Sequence, residues 1–230
     1  MQSKYVIMIN LLSNLKISVP DKIYVKDPES SELGKRIIQN SIELIDDIGF
    51  DSFTFKKLGV KINSNESSIY RYFESKHKLL LYLTSWYWAW LEYQLVFSTH
   101  NISDSSLKLK KGIEVVTKTI EEDGTFIHIN KVMLNRIVIN EYSKSYLTKE
   151  VDAENKDGYF IIYKRLVSRI KDMILEINPD YAYASSLAST VVEGALHQHF
   201  LRDHFKSITD CNDTILPTHF FESLTFNAIK

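Results

Sequence analysis

The stretch Phe53 to Leu80, FTFKKLGVKINSNESSIYRYFESKHKLL, constrains this chain more than any other. Thr54 is placed to cap a short helix on which Phe55, Leu58 and Ile62 share one face at helical spacing. Asn63, Ser64 and Asn65 then interrupt the pattern, because these residues favour turns and caps over helix interiors. A second helix of about two turns follows. Ile69, Tyr72 and Phe73 form its apolar side, while Glu66, Ser67, Ser68, Tyr70 and Arg71 are left for a polar side or a partner. Ser75 recaps the chain and a long third helix begins. Gly59, inside the first of these helices, costs about 1 kcal/mol against Ala and predicts the close approach of another backbone.

Two short helices joined by a tight turn form a helix-turn-helix, whose second helix enters the major groove of DNA. Many helical hairpins share that spacing, so charge has to be weighed with it. Lys56 and Lys57 stand in the first turn of their helix, where the macrodipole disfavours cations by several tenths of a kcal/mol. A phosphate would offset that cost; two solvated lysines are the plainer reading. From Ser52 to Leu80 six Lys/Arg face two Glu, a local charge of +4 in a chain of net charge −1. A near-neutral total excludes a protein that coats DNA wholesale, so any nucleic-acid contact is local.

The segment from Ile37 to about Leu81 also resembles the tetracycline-repressor (TetR) family of bacterial transcriptional regulators. Its most specific part is Ser68-Ile69-Tyr70-Arg71-Tyr72-Phe73-Glu74-Ser75-Lys76 followed by Leu79-Leu80, with Gly49-Phe50, Phe53-Thr54 and Lys57-Leu58-Gly59 upstream. Two residues depart from the family pattern. Asn63 stands where the turn glycine is expected, a mild change because Asn tolerates the left-handed conformation. Ser64 replaces a small apolar residue of the turn. The resemblance implies that Thr54, Tyr70, Tyr72 and Lys76 hold phosphates. Lys56 and Lys57 join them on the charge argument. Ser64, Asn65, Ser67 and Ser68 are candidates to face bases, with Arg71 in the same DNA-binding set, and Glu66 either accepts from a cytosine amino group or sits at the helix start.

The whole chain reads as all-α: four Pro and seven Gly in 230 residues are few, and long amphipathic stretches dominate. The expected layout is an N-terminal arm over 1–27, a three-helix DNA-binding head over 28–80, and a helical bundle for ligand binding and dimerisation over 81–230. In the arm, Lys16 to Lys26 alternates around Pro20-Asp21, which suits a hairpin or an extended segment that packs on its own domain or touches DNA. Tyr5 to Ile9 is apolar, but Asn10 interrupts it and no cleavage-site pattern follows, so no signal peptide is expected. No run of eighteen apolar residues predicts a membrane span. Asp27-Pro28-Glu29 is expected to open the first long helix, with Leu33, Ile37, Ser41, Leu44, Ile45 and Ile48 as its buried stripe and Gly49 as its stop. Three helices around Phe50, Phe53, Phe55, Leu58, Ile69 and Phe73 make a complete small core.

Beyond the head, helices are expected over Ser75–Ser98, Asp104–Glu122, Asn130–Tyr146, Glu150–Ile177 and Tyr181–Phe205, and from Pro217 to the end. Trp86, Trp88, Trp90, Tyr82, Tyr87, Tyr93 and Phe97 put aromatics all round one helix, which serves a core, a helix contact, or an apolar ligand pocket. Candidate ligand residues are Trp86, Trp90, Tyr93, Met133, Phe160 and Tyr163. The resemblance implies that the last two long helices pair across a twofold axis. Ala184, Ala188, Gly194, His197 and Phe220 are the candidate dimer residues, although the small ones serve equally for packing within one chain.

Glu193, His197, His199, Asp203 and His204 form the one cluster with metal-ligand chemistry, but the two i,i+4 pairs lie on different helix faces. No metal and no cofactor are expected. With no glycine-rich phosphate loop, nucleophile elbow or Cys/His finger, no catalytic site is expected either. The single cysteine, Cys211, cannot close an internal disulfide and suits the cytoplasm. The expectation is therefore a homodimeric, DNA-binding transcriptional regulator, a repressor released from a palindromic operator by a small apolar or aromatic effector. The rival readings are a helical metal or cofactor enzyme using Glu193 to His204, and a helical protein-interaction module that no longer binds DNA.

Overall fold

A computed structural model describes residues 17–121 and 124–230, and among these there is no strand. The chain is all-α. The expectation about Tyr5 to Ile9 lies outside the described residues, as does Asp123. Among the described residues no helix is long and apolar enough to cross a membrane.

The helices run α1 Glu32–Ser52, α2 Phe55–Lys61, α3 Glu66–Tyr70, α4 Lys76–Thr99, α5 Ser105–Thr117, α6 Lys131–Glu141, α7 Ser143–Tyr146, α8 Val151–Lys156, α9 Ile161–Ile177, α10 Ala184–His204 and α11 Pro217–Ala228. Two compact units share them. One holds the chain up to Tyr87 together with Ile120–Tyr159; the other holds Trp88–Thr119 with Phe160–Lys230.

In the first unit the three-helix core is the one expected: Phe50, Phe53, Phe55, Leu58, Ile69 and Phe73 are all buried. Phe53 meets Phe55 edge to face, and Phe73 meets Tyr82 in the same way. The segment before α1 differs from the hairpin or extended arm that was expected. It forms a 3-10 turn over Asp21–Ile23, buries Ile17 and Ile23, and donates the Val25 N–H to the Tyr72 carbonyl at 2.8 Å. Asp27 caps only a second 3-10 turn, Pro28–Ser30, by accepting from Glu29 N at 2.9 Å. Ser31 is extended and caps α1 itself, accepting from Gly34 N at 3.2 Å, so the first long helix opens four residues later than the Asp-Pro-Glu motif suggests. The buried stripe of α1 is rotated toward Ile38 and Ile42, leaving Leu33, Leu44 and Ile48 half-buried, because the face of α6 also has to be covered.

In the second unit, α9 packs on α5 and α10, and α11 packs on α5 and α10. Four helix bounds differ from the sequence expectation; Asn130–Tyr146, in the first unit, is two helices, Lys131–Glu141 and Ser143–Tyr146. The helix expected over Asp104–Glu122 stops at Thr117, whose buried hydroxyl donates to the Ile113 carbonyl and accepts from the Thr218 hydroxyl. Glu150–Ile177 is two helices, because Gly158 at φ +88° takes a left-handed turn that no helix accommodates. The helix expected from Tyr181 starts at Ala184, after a turn in which Asn178 accepts from Asp180 N.

α4 has no polar face over much of its length: every residue from Leu79 to Trp88 is buried. A helix apolar all round is a core helix, the structural one of the readings open to this aromatic run. Burial raises the phenol pKa of both Tyr82 and Tyr87, and Tyr87 donates to Asn135 Oδ1 at 2.9 Å.

Candidate nucleic-acid interface

The turn between α2 and α3 is set by local chemistry. Asn63 adopts φ +50°, the left-handed conformation anticipated for the residue in the glycine position. Gly59 accepts the return of the chain: Ser64 N donates to the Gly59 carbonyl at 2.9 Å, and a Cβ on Gly59 would stand 2.8 Å from the Ser64 carbonyl oxygen. The backbone approach expected at that glycine is therefore the turn itself. Thr54 caps α2 by accepting from Lys57 N at 3.2 Å, and Asn65 caps α3 by accepting from Ser68 N at 2.8 Å.

The candidate DNA-binding side chains fall into two groups. Tyr72 and Lys76 are tied to the head. Tyr72 is buried; its hydroxyl meets Ser31 Oγ at 2.8 Å and accepts from Lys26 Nζ at 3.5 Å. The Ser31 hydrogen bond, followed by the Lys26 interaction, holds this phenol below its usual pKa against the opposing effect of burial. Lys76 donates to the carbonyls of Phe50, Asp51 and Phe53 at 3.1, 3.1 and 3.3 Å and lies over the Phe50 ring. An ammonium has three protons to donate, and here all three go to carbonyls of the short segment that follows the break at Gly49 (φ +75°).

The second group faces outward. Lys56, Lys57, Asn65, Ser67 and Arg71 are exposed, and Tyr70 is 48 % exposed with its ring edge on Phe55. Thr54 is exposed too, and Ser64, Glu66 and Ser68 are half-buried. Lys57 reaches back to the Ser52 carbonyl at 2.8 Å. Ser68 Oγ donates to Asn65 Oδ1 at 2.7 Å, and Tyr70 Oη donates to Glu66 Oε1 at 3.4 Å. The other basic residues nearby are engaged: Lys61 pairs with Glu43, Lys35 with Glu32, Lys22 with Asp157, and Arg36 donates to the Ile62 carbonyl. Sequence reasoning missed Lys26, whose ammonium lies 5.1 Å from the centre of the Tyr72 ring, beside the end of α3. Its signal was a basic residue in the arm, but only the Val25–Tyr72 backbone bond puts it there.

A second layer holds the end of α1. Phe50 N donates to Glu141 Oε1 at 3.1 Å, and Lys144 bridges Glu141 and Asp51 at 2.8 and 2.7 Å. The Lys144 hydrogen bond, with its charge, keeps the Asp51 carboxyl below the usual range.

The candidate ligand residues divide between the two units. In the first, Trp86 is buried edge-on against Phe126, and Met133 lines an open groove of about 310 Å³ with Gln39, Glu43, Phe126 and Ile129. In the second, Trp90 is buried, Tyr93 stacks on Phe97, Phe160 is half-buried, and Tyr163 donates to Glu193 beside Trp88. Of the dimer candidates, Ala184 and Ala188 are buried within the chain, and a Cβ on Gly194 would stand 2.8 Å from the Phe221 ring of the same unit. These three small residues serve packing inside the protomer, the alternative that their spacing left open. His197 and Phe220 are exposed.

The Glu193 to His204 cluster does not converge. His199 is buried and shares a 2.9 Å hydrogen bond with the Thr117 carbonyl, Asp203 accepts from Arg202, and His204 lies against Phe200. Among the described residues no three His, Cys, Asp or Glu side chains are placed to hold a metal ion.

Residues 37–83 match the family model of bacterial regulatory proteins of the tetR family. Among solved structures, a bacterial regulatory protein in the tetR family from Rhodococcus RHA1 is 13 % identical with a TM-score of 0.56, covering 86 % of this chain and 96 % of that one. The superantigen PfiT is 16 % identical with a TM-score of 0.55, covering 88 % and 97 %. AibR in complex with isovaleryl coenzyme A and operator DNA is 14 % identical with a TM-score of 0.52, covering 85 % and 96 %. At such identities the likeness is one of fold, and the fold hosts more than one function. No curated protein matches the sequence.

Proposed function

We propose that this chain, whose head is that of the tetR family of bacterial regulatory proteins, is a homodimeric transcriptional repressor released from its operator by a small apolar or aromatic effector. The observation that carries the reading is the head itself: a family match over residues 37–83 joined to a left-handed Asn63 turn that presents α3 outward beside Lys56 and Lys57.

Residues 28–80 are the DNA-contacting head in this proposal, and 81–230 supply effector binding and dimerisation. Each protomer sets α3 in a major groove, the two grooves about one helical turn, roughly 34 Å, apart. Thr54, Lys56, Lys57 and Tyr70 contact phosphates. Ser64, Asn65, Glu66, Ser67, Ser68 and Arg71 lie toward the bases. Tyr72 and Lys76 act at one remove, by holding α3 and α1 in place. Dimerisation uses the outward surface of α10 and α11, where His197 and Phe220 stand.

Release requires an effector that prefers the conformation in which the heads are wrongly spaced. A hundredfold preference shifts the equilibrium by about 2.7 kcal/mol, enough to empty many operators. Support for an effector comes from the fold neighbour AibR, solved with isovaleryl coenzyme A and operator DNA. The aromatic residues of α4 and α9 are the candidate contacts.

The test is binding of the purified full-length chain to DNA immediately upstream of its own gene across a salt series, with Lys56→Ala and Lys57→Ala as controls. Tight, salt-sensitive binding that both substitutions weaken is the expected result. Weak, sequence-indifferent binding there and on a genomic fragment library would overturn it in favour of a protein-interaction module.

A further inference from the structure

Hydrogen bonding inside the head leaves few of its side chains free to distinguish bases. Asn65 Oδ1 accepts from both Ser68 N and Ser68 Oγ, which occupies the acceptor of one candidate and the donor of the other. Glu66 takes the Tyr70 hydroxyl, Tyr72 is buried under Ser31 and Lys26, and Lys76 spends its protons on three carbonyls. Ser64 is half-buried; of the exposed base-facing candidates, Ser67 and Arg71 make no side-chain hydrogen bond among the described residues. Both are exposed, four residues apart, and Arg71 keeps helical angles (φ −68°, ψ −17°) one residue beyond the end of α3. That spacing stacks them on one helix face, while Ile69 and Phe73 lie buried in the core.

The two free residues are chemically unequal. A serine hydroxyl donates or accepts and discriminates poorly among base edges. A guanidinium is a donor only, with two parallel N–H groups spaced to meet O6 and N7 of guanine together. The Arg71 guanidinium makes no hydrogen bond or salt bridge among the described residues.

We infer that Arg71 is the specificity-determining residue of the head and that it reads one guanine in each operator half-site, with Ser67 beside it as a tolerant contact. This rests on the operator-binding reading above. Lys56 and Lys57 then set affinity, Tyr72 and Lys76 set position, and Arg71 sets sequence.

In-vitro selection from a random duplex pool, using the full-length wild-type chain and Arg71→Ala, tests it. Thermal unfolding of the variant serves as a fold control. The wild type is expected to recover a twofold-symmetric motif with a fixed guanine in each half. Arg71→Ala is expected to recover the same motif with that position randomised. Direct titration should show roughly 10- to 100-fold discrimination for guanine in the wild type and almost none in the variant. Replacing that guanine by 7-deazaguanine, which lacks the N7 acceptor, should weaken the wild type several-fold and leave Arg71→Ala unchanged.

A guanine retained by Arg71→Ala, a wild-type motif without a fixed guanine, or an equal loss of affinity on every sequence would overturn the inference and leave the regulator reading standing. Failure of the wild type to enrich any sequence would overturn both.

Discussion

The outer face of α2 and α3 and the inner end of the same head are built from adjacent residues, and they treat their polar groups in opposite ways. At the inner end Tyr72 is buried and Lys76 half-buried, each with several partners. On the outer face Lys56 and Arg71 are exposed, without a carboxylate partner among the described residues. The difference separates two jobs that a signature motif runs together. A residue repeated in a DNA-binding motif either touches the DNA or holds in place the part that does. Accounting for each donor and acceptor tells them apart, because a proton already given to a carbonyl is unavailable to a phosphate.

Lys76→Ala should have the largest effect on this contrast. It leaves the carbonyls at the end of α1 without their charged donor, at a cost of about 2–3 kcal/mol. The midpoint of thermal unfolding should fall by roughly 4–10 °C for a chain of this size, and DNA binding should weaken in parallel as the head loosens. An unchanged midpoint with weakened DNA binding would move Lys76 to the outer group and break the comparison.

Gly59→Ala should come next. The added methyl would sit 2.8 Å from the Ser64 carbonyl oxygen, and overpacking of about 1–3 kcal/mol outweighs the gain of up to about 1 kcal/mol in helix propensity. Urea unfolding of the variant measures the balance, and a stabilised variant would show that the turn gives way easily.

The second unit provides a contrast in pH. Burial lowers the His199 pKa, and Arg202 lowers it further, against the Thr117 hydrogen bond and Asp203. A histidine depressed in the folded state contributes stability above its unfolded pKa of about 6.5, and this is lost as pH falls through the folded value. Stability should therefore decline in mildly acidic solution, and His199→Gln should flatten that decline. Unfolding midpoints between pH 7 and pH 5 give the comparison; an unchanged slope in the variant would place the acid-sensitive group elsewhere.

Lys56→Ala should be the smallest effect on the fold and the cleanest on the interface. Its unfolding midpoint should stay within the scatter of surface substitutions, about 0.5 kcal/mol. Operator affinity should fall several-fold, with the salt slope reduced by about 0.9 for one lost phosphate contact. A lower midpoint would mean that the outer face, too, is structural.

Much of the head was legible because its determinants are local. The Thr54 cap, the Asn63 turn and the Gly59 approach each involve residues within a few positions of one another, and all three were anticipated from residue chemistry or the resemblance; Asn65, expected to face bases, proves to cap α3 by an equally local bond. The misread bounds have a different origin. At Pro28–Ser30 and at Gly158 two local signals compete: Asp27 and Ser31 each cap a turn, and Gly158 takes φ +88° inside an otherwise helical pattern. The aromatic run of α4 illustrates the same point. Its composition fits a pocket or a core equally well, and only the fold shows that every residue from Leu79 to Trp88 is buried.

By itself the sequence determined an all-helical chain, a helix-turn-helix of defined length and turn, and the set of residues from which the proposed DNA-contacting surface is drawn. Periodicity, caps and turn residues act over three or four positions, so these features need no knowledge of the rest of the chain. Only the tertiary structure decided which members of that set are free. Lys76 is separated from its carbonyl partners by more than twenty residues, and Tyr72 from Ser31 by forty-one. Whether a charge or hydroxyl is spent inside the protein is decided by such distant partners, because hydrogen bonds depend on position in space and not on order along the chain.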